Sequence, residues 1–334
     1  MSDMETRLAA YLAHRMPDAQ GIVVDQFARI PGGSSQETSK FRAVWDGVER
    51  WLIARRAPEK GLVEAERDLE YTVYSALADS DVPVPRVHFL ELDPIWLDRP
   101  FFIMEMAPGK PGHFYLSDDP YEGQAAQVGA RFWRHLGELA AIDHRAVGLA
   151  GLRNGELSGG LWSAELNHWE AVLDAKEHMV EPVPRGAIRW LRRNPPLEAP
   201  KSAIVHGDYR VGNFLFTGEG AISAVLDWEM CHIGDPLEDV AWALNAMWPM
   251  TRYFPLEDGL ALWEAASGMR IDRASLDWWR LFAAVKACAI WATGEHSFAS
   301  GESRDMTVAM TAVRAQSFHR TEIIGIMAAK GAMG

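Results

Sequence analysis

The period of the apolar positions changes along the chain. Leu8, Tyr11 and Leu12 recur at helical spacing, which predicts a helix from about Glu5 to Arg15 that Ser2 or Asp3 can cap. Shorter runs rich in β-branched and aromatic residues come next. They predict strands over Gly21–Ile30, Lys40–Trp45 and Val48–Arg55, with the turn dipeptide Asp46-Gly47 between the last two. Pro31-Gly32-Gly33-Ser34-Ser35 joins the first two strands. A segment rich in Glu, Ala and Leu predicts a helix from about Leu62 to Ala78, ended by Val82-Pro83-Val84-Pro85. Short extended segments are expected around Val87–Leu92 and Phe101–Met106.

Pro108-Gly109-Lys110-Pro111-Gly112 reads as a linker, and after it the pattern turns helical. Helices are expected over Gly123–Asp143, Gly160–Met179 and Arg185–Arg193. A small β island follows at Ser202–Val205, Phe214–Phe216 and Ala221–Leu226. Helices then resume, the longest over Pro236–Met247, Ala274–His296 and Ser303–Ala329. The expected fold is α+β and two-lobed. Residues 1–107 would form an antiparallel-sheet lobe and residues 108–334 a mainly helical lobe, with a cleft between them.

Composition narrows the function. Apolar residues make up 48% and charged residues 24%, enough to bury a large core. The net charge of -13 argues against a nucleic-acid partner, which needs clustered Lys and Arg. An acidic surface suits a cationic ligand, and simple solubility explains it equally well. Cys231 and Cys288 lie far apart without CxxC spacing, so neither a disulfide framework nor a structural zinc site is expected. The polar, amphipathic start does not resemble a signal peptide, and no apolar run approaches the roughly 20 residues that span a bilayer. A cytoplasmic protein without a membrane partner is expected; the oligomeric state is open.

Chemistry concentrates in Ile204-Val205-His206-Gly207-Asp208-Tyr209-Arg210-Val211-Gly212-Asn213 and in Val225-Leu226-Asp227-Trp228-Glu229. In each, an acid follows an apolar strand, which can bring Asp208, Asn213 and Asp227 together. Phosphoryl transfer needs such a set: a carboxylate to orient a hydroxyl and accept its proton, and hard oxygens for Mg²⁺. Alone, either acid would read as a turn or strand-end residue.

The linked set resembles the aminoglycoside-phosphotransferase and choline-kinase-like family. His206–Asn213 is similar to its HGDxxxxN catalytic loop, itself similar to the HRDxxxxN loop of protein kinases. Leu226-Asp227-Trp228-Glu229 stands where the kinase DFG acid does, and Gly234-Asp235-Pro236-Leu237-Glu238-Asp239 resembles the G-D-P-x-x-D element that follows. The resemblance implies a protein-kinase-like fold that uses ATP and Mg²⁺. It implies Asp208 as catalytic, Asn213 and Asp227 as metal ligands, and His206 and Asp239 as supports of the loop; proton transfer by His206 is the alternative. Gly32, Gly33 and Ser34 would cover the phosphates, since glycines let backbone N–H groups approach them. Arg55 would replace the usual phosphate-binding lysine, paired to Glu70; Arg56 and Glu66 are the alternatives if the register slips. Backbone groups around Glu105 and Met106 would meet adenine.

Leu52-Ile53-Ala54-Arg55-Arg56-Ala57-Pro58 resembles the branch that includes kinase-like domains fused to acyl-CoA dehydrogenases. That implies a small-molecule hydroxyl acceptor, a hydroxylated metabolite or acyl compound ahead of an aminoglycoside. Ten of the 14 tryptophans follow residue 150, and some could line an acceptor pocket rather than a core. Two other readings remain: a nucleotide-binding pseudokinase or regulatory module, and a metal-dependent hydrolase built on His206, Asp208 and Asp227.

Overall fold

The computed structural model describes residues 2–30, 37–57, 68–112, 117–152, 160–177, 179–303 and 306–331. Gly32, Gly33, Ser34 and Glu66 lie outside them. The first helix, α1 (Asp3–Arg15), starts on a capping box in which Ser2 and Glu5 exchange hydrogen bonds. Strands β1 (Val23–Arg29), β2 (Glu37–Trp45), β3 (Val48–Arg56), β4 (Val87–Glu91) and β5 (Phe101–Glu105) form an antiparallel sheet in the order β1-β2-β3-β5-β4. Asp46 and Gly47 both take positive φ, 52° and 72°, as a tight two-residue hairpin requires.

Strand alternation divides the sheet into two faces. Leu52, Ala54, Phe101 and Ile103 point to one side and pack with Leu8, Tyr11 and Leu12 of α1. Ile53, Phe102 and Met104 point to the other, against Val73, Tyr74 and Leu77 of α2 (Leu69–Leu77), in a core continuous with the C-terminal helices. Arg55 therefore faces α2 and the rest of the molecule, and Arg56 faces away.

The expected linker contains a strand. Lys110–Pro111 (β6) pairs with β8 (Phe214–Phe216), which pairs with β9 (Ile222–Val225). Between Glu105 and Lys110 the chain thus passes from the large sheet to a sheet belonging to the helical part. A second pair joins β7 (Ala203–Val205) to β10 (His232–Gly234), while the β8–β9 pairing of Phe214 with Val225 brings the two acidic motifs side by side.

The helices are α3 (Ala125–Ala141), α4 (Leu161–Lys176), α5 (Pro182–Arg193), α6 (Leu237–Ala243), α7 (Leu256–Ser267), α8 (Arg273–Ala299) and α9 (Met306–Ala329). Helix α8 is buried along much of its length and is packed by α4, α5, α6 and α9. Helix α6 stops at Ala243, short of the expected Met247. The Leu244 and Asn245 N–H groups bond three residues back, and the Asn245 side chain accepts from Met247 N, a local turn that competes with the helix. No described helix is long and apolar enough to cross a membrane.

Candidate active site

Strand β7 ends at Val205 and delivers His206, Gly207 and Asp208 into a loop held from below. The Asp239 carboxylate, in the first turn of α6, accepts from His206 N (2.6 Å) and Gly207 N (3.0 Å). Burial and the neighbouring Glu238 push the Asp239 carboxyl up to about 7, against the pull of those two donors. Gly207 has φ +83°, and a Cβ there would stand 2.4 Å from Met230 O, so the turn requires glycine.

His206 ties the two motifs together. Its Nδ1 accepts from Asp208 N (3.1 Å), so its Nε2 carries the proton and donates to Leu226 O (2.9 Å). Both ring nitrogens are engaged, and burial pushes the imidazole pKa down to about 4. The ring is neutral, with no lone pair left for a metal and no proton to exchange. In this geometry His206 links the two loops, and neither ring nitrogen is open to a metal.

Asn213 closes the loop. Its Nδ2 donates to Asp208 O (3.0 Å) and Asp208 Oδ2 (2.6 Å). Both partners are acceptors, so the amide orientation is fixed and Oδ1 is turned away from Asp208. Asn213 O accepts from Leu226 N (2.8 Å), which sets Asp227 beside it. Asp227 adopts φ +71°, a left-handed conformation that costs a non-glycine residue on the order of 1 kcal/mol.

Arg55 stands 2.8 Å from Glu70 Oε2 and 3.3 Å from Asp227 Oδ1. Burial works against its charge, but Glu70, Tyr74 and Asp227 outweigh that and raise its pKa. Glu70 also accepts from Trp228 N (3.3 Å), so α2 holds both Arg55 and the Asp227 loop. Arg56 instead meets Glu37 (2.7 Å) and Leu97 O (3.0 Å) on the outer face, so of the two arginines Arg55 is the one turned toward Glu70 and Asp227. At the expected adenine edge, Glu105 N bonds Arg86 O (2.8 Å) and Met106 N bonds Trp51 O (3.0 Å). Those two N–H groups belong to the sheet, so a base at this edge would have to use carbonyls or the following residue, Ala107.

Of the tryptophans, Trp162, Trp278 and Trp279 pack with Phe282 in or beside the core. Trp242 and Trp248 differ. Trp242 Nε1 donates to Asp208 Oδ1 (2.7 Å), and Trp248 Nε1 donates to Trp242 O (3.1 Å). His319 of α9 packs on Trp248. A hollow of about 580 Å³ is lined by Ala246 and by Arg314, Ser317, Phe318, Thr321 and Glu322 of α9.

Four residues behind the loop escaped the sequence reading. Lys286 Nζ donates to Gly207 O (2.6 Å) and Glu238 Oε1 (2.8 Å). His232 Nε2 lies 3.1 Å from Glu238 and 3.4 Å from Glu165, while its Nδ1 meets Met230 O (3.0 Å). All four side chains are at most 7% exposed. With both His232 nitrogens donating, two cations face two carboxylates and the cluster is neutral. Its geometry could hold a metal ion, but Lys286 already supplies the charge a cation would. The sequence signal was Lys286 itself, a charge inside Phe282-Ala283-Ala284-Val285-Lys286-Ala287-Cys288-Ala289. A lysine there must be paired.

Burial works against the His232 charge, but Glu165 and Glu238 outweigh it and hold the pKa at about 9, against 6.5 as the ordinary value. A raised histidine pKa stabilises fully below 6.5, and that contribution is lost as pH rises through 9. Folding stability is expected to fall between pH 7 and 9 by up to about 1.4 kcal/mol per pH unit. The same urea titrations on His232→Gln should show a flatter slope; an equal slope would remove His232 as the cause.

The sheet, the helical part and the linked loops define a kinase-like phosphotransferase architecture. The chain belongs to the phosphotransferase enzyme family, whose sequence profile matches residues 26–279. It is 31% identical over 220 residues to acyl-CoA dehydrogenase family member 11 of Gallus gallus, covering 65% of this chain and 28% of that protein. Identity to family member 10 of Mus musculus is 28% over 226 residues, 63% of this chain and 20% of that protein. The chain thus spans less than a third of these relatives.

Among solved structures, a Ralstonia eutropha protein described as a candidate aminoglycoside phosphotransferase superposes with TM-score 0.75 at 22% identity, covering 96% of this chain and 97% of that one. The macrolide 2'-phosphotransferase of Brachybacterium faecium gives TM-score 0.59 at 20% identity, covering 92% and 97%. An aminoglycoside phosphotransferase in complex with ADP and hygromycin B gives 0.61 at 17%, covering 98% and 99%. At such identities the likeness carries the fold.

Proposed function

We propose that the protein is a small-molecule kinase that moves the γ-phosphate of ATP to a hydroxyl of a hydroxylated metabolite or acyl compound. The observation that carries this reading is the convergence of Asp208, Asn213 and Asp227 at one loop pair, with Arg55 reaching it from the sheet and Glu70 from α2. The named relatives are acyl-CoA dehydrogenase family members, which favours an acyl acceptor over an antibiotic.

The donor set fits Mg²⁺: an amide oxygen on Asn213 turned away from Asp208, and the Asp227 carboxylate, which already attracts a cation in Arg55. Bound there, Mg²⁺ would supply neutralisation of the phosphate charge. Arg55, steadied by Glu70, contributes a second positive charge toward the phosphates. Asp208 orients the acceptor hydroxyl. As the acceptor oxygen bonds to the γ-phosphorus, the bond to the β–γ bridging oxygen breaks and its electron pair leaves with ADP. The hydroxyl proton passes to Asp208. Gly32, Gly33 and Ser34 are proposed to cover the phosphates, and the backbone near Glu105 and Met106 to meet the base.

The test is ADP release with Mg²⁺-ATP across hydroxylated acyl-CoAs, amino alcohols, sugars and aminoglycosides. Acceptor-dependent release is expected with the first class. Binding of Mg²⁺-ATP without turnover on any acceptor would instead favour a pseudokinase. Asp227→Ala should weaken Mg²⁺-ATP binding by about tenfold or more while changing metal-free ATP binding little, as expected for a lost charge-assisted contact. Calorimetry with and without Mg²⁺ reads this, and equal Mg²⁺-ATP affinity in the variant would remove Asp227 as a ligand.

A further inference from the structure

The Asp208 carboxylate is already fully occupied. Arg210 Nε donates to Oδ1 (2.9 Å) and Oδ2 (3.1 Å), Trp242 Nε1 donates to Oδ1 (2.7 Å), and Asn213 Nδ2 donates to Oδ2 (2.6 Å). A carboxylate offers about four lone-pair sites, and these contacts fill them. A hydroxyl that is to be oriented by Asp208 must take the place of one donor.

Two of the donors are anchored. Trp242 is 2% exposed, its carbonyl holds Trp248, and Lys286 lies over its ring at 4.9 Å. Asn213 is 8% exposed and also donates to Asp208 O. Arg210 is built differently. Its side chain is 28% exposed, Nη1 has one bond to the adjacent Val211 O (3.2 Å), and the guanidinium sits 5.2 Å over the Trp248 ring. A planar cation on an aromatic face can slide without losing that contact. Arg210 is therefore the donor free to leave, but a guanidinium does not abandon a partly buried carboxylate unless another anion receives it.

We propose that Arg210 is a latch that masks Asp208, opened by an oxyanion that the ligand brings next to the reacting hydroxyl. This rests on the kinase reading above. The oxyanion has two possible sources, the terminal phosphate of the nucleotide or a carboxylate or phosphate on the acceptor. In both cases the latch disfavours a polycationic acceptor, because the same guanidinium repels it at the catalytic carboxylate. Arg210 is a positioning residue in this scheme: it controls access to Asp208.

The experiment follows the Arg210 Nε–H signal in protein labelled with ¹⁵N-arginine, identified as the signal absent from Arg210→Lys. In the free protein it should shift in Asp208→Asn; an unshifted signal would mean the contact does not exist in solution and overturns the latch. Mg²⁺-ADP, Mg²⁺-adenylyl imidodiphosphate, and Mg²⁺-ADP with inorganic phosphate or acetate are then added in turn. A shift with the imidodiphosphate but not with ADP assigns the oxyanion to the nucleotide. Arg210→Gln should then lose about tenfold in affinity for the imidodiphosphate alone. A shift only when phosphate or acetate joins Mg²⁺-ADP assigns it to the acceptor, and Arg210→Gln should then bind both nucleotides as the wild type does. A signal that moves in neither case, while calorimetry shows the imidodiphosphate bound, overturns the latch and leaves the kinase reading standing. Wild-type protein that binds no nucleotide overturns the kinase reading, and the latch falls with it.

Discussion

Loss of the Asp208 carboxylate, as in Asp208→Ala, is expected to cut acceptor-dependent ADP release by about 10²–10⁴-fold, the range that a positioned acid–base group contributes. Mg²⁺-ATP affinity should stay largely unchanged. The reason is the division of labour in the loop pair. In the proposed arrangement Asn213 Oδ1 and Asp227 would hold the metal and Arg55 of β3, paired to Glu70 of α2, would meet the phosphates, so none of the proposed nucleotide contacts runs through Asp208. The alanine variant also strips partners from Arg210, Trp242 and Asn213, so Asp208→Asn serves as the control that keeps the shape. ADP release and calorimetry on both variants read the split. A fully active alanine variant would remove Asp208 from the mechanism, and a parallel loss of nucleotide binding would make its role structural.

The largest effect on stability is expected at Lys286, buried behind the loop that carries Asp208. Truncating one member of a buried ion network leaves its partners uncompensated and typically costs about 3–5 kcal/mol. Lys286→Met should therefore lose about that much in urea denaturation, because Glu238 keeps a buried charge and Gly207 O loses its donor. Lys286→Met combined with Glu238→Gln keeps the cluster neutral, with His232 still facing Glu165. It should be less destabilised than the sum of the single changes by about 1–2 kcal/mol. A loss below about 1 kcal/mol for Lys286→Met would show that the cluster carries little of the fold. Catalysis reports on the same residues, since Lys286 and Asp239 grip neighbouring backbone groups of the loop that carries Asp208.

The sheet and its hairpin were legible because period-two alternation and Asp46-Gly47 are local signals, and β1, β2 and β3 form where they were expected. Helix α6 was overextended, because the Asn245 turn competes with the helix through a side-chain bond that no apolar period records. Strand β6 was read as linker, because a two-residue strand exists only through its pairing with β8, about a hundred residues on. The candidate metal and base residues were legible because they sit at fixed spacing in two short motifs.

The sequence alone determined the types and order of these groups: an acid past one short strand, an amide five residues on, a second acid past another strand, and a cation on the third strand of a sheet. Pairwise relations came from the tertiary structure. Strand pairing of β8 with β9 set the two motifs side by side, and face selection in β3 sent Arg55 inward and Arg56 outward. Packing of α6 and α8 beneath the loop brought Trp242 onto Asp208 and Lys286 onto Gly207. Such contacts join residues 34 and 79 positions apart, and long-range proximity is decided by burial and packing geometry that no local pattern encodes.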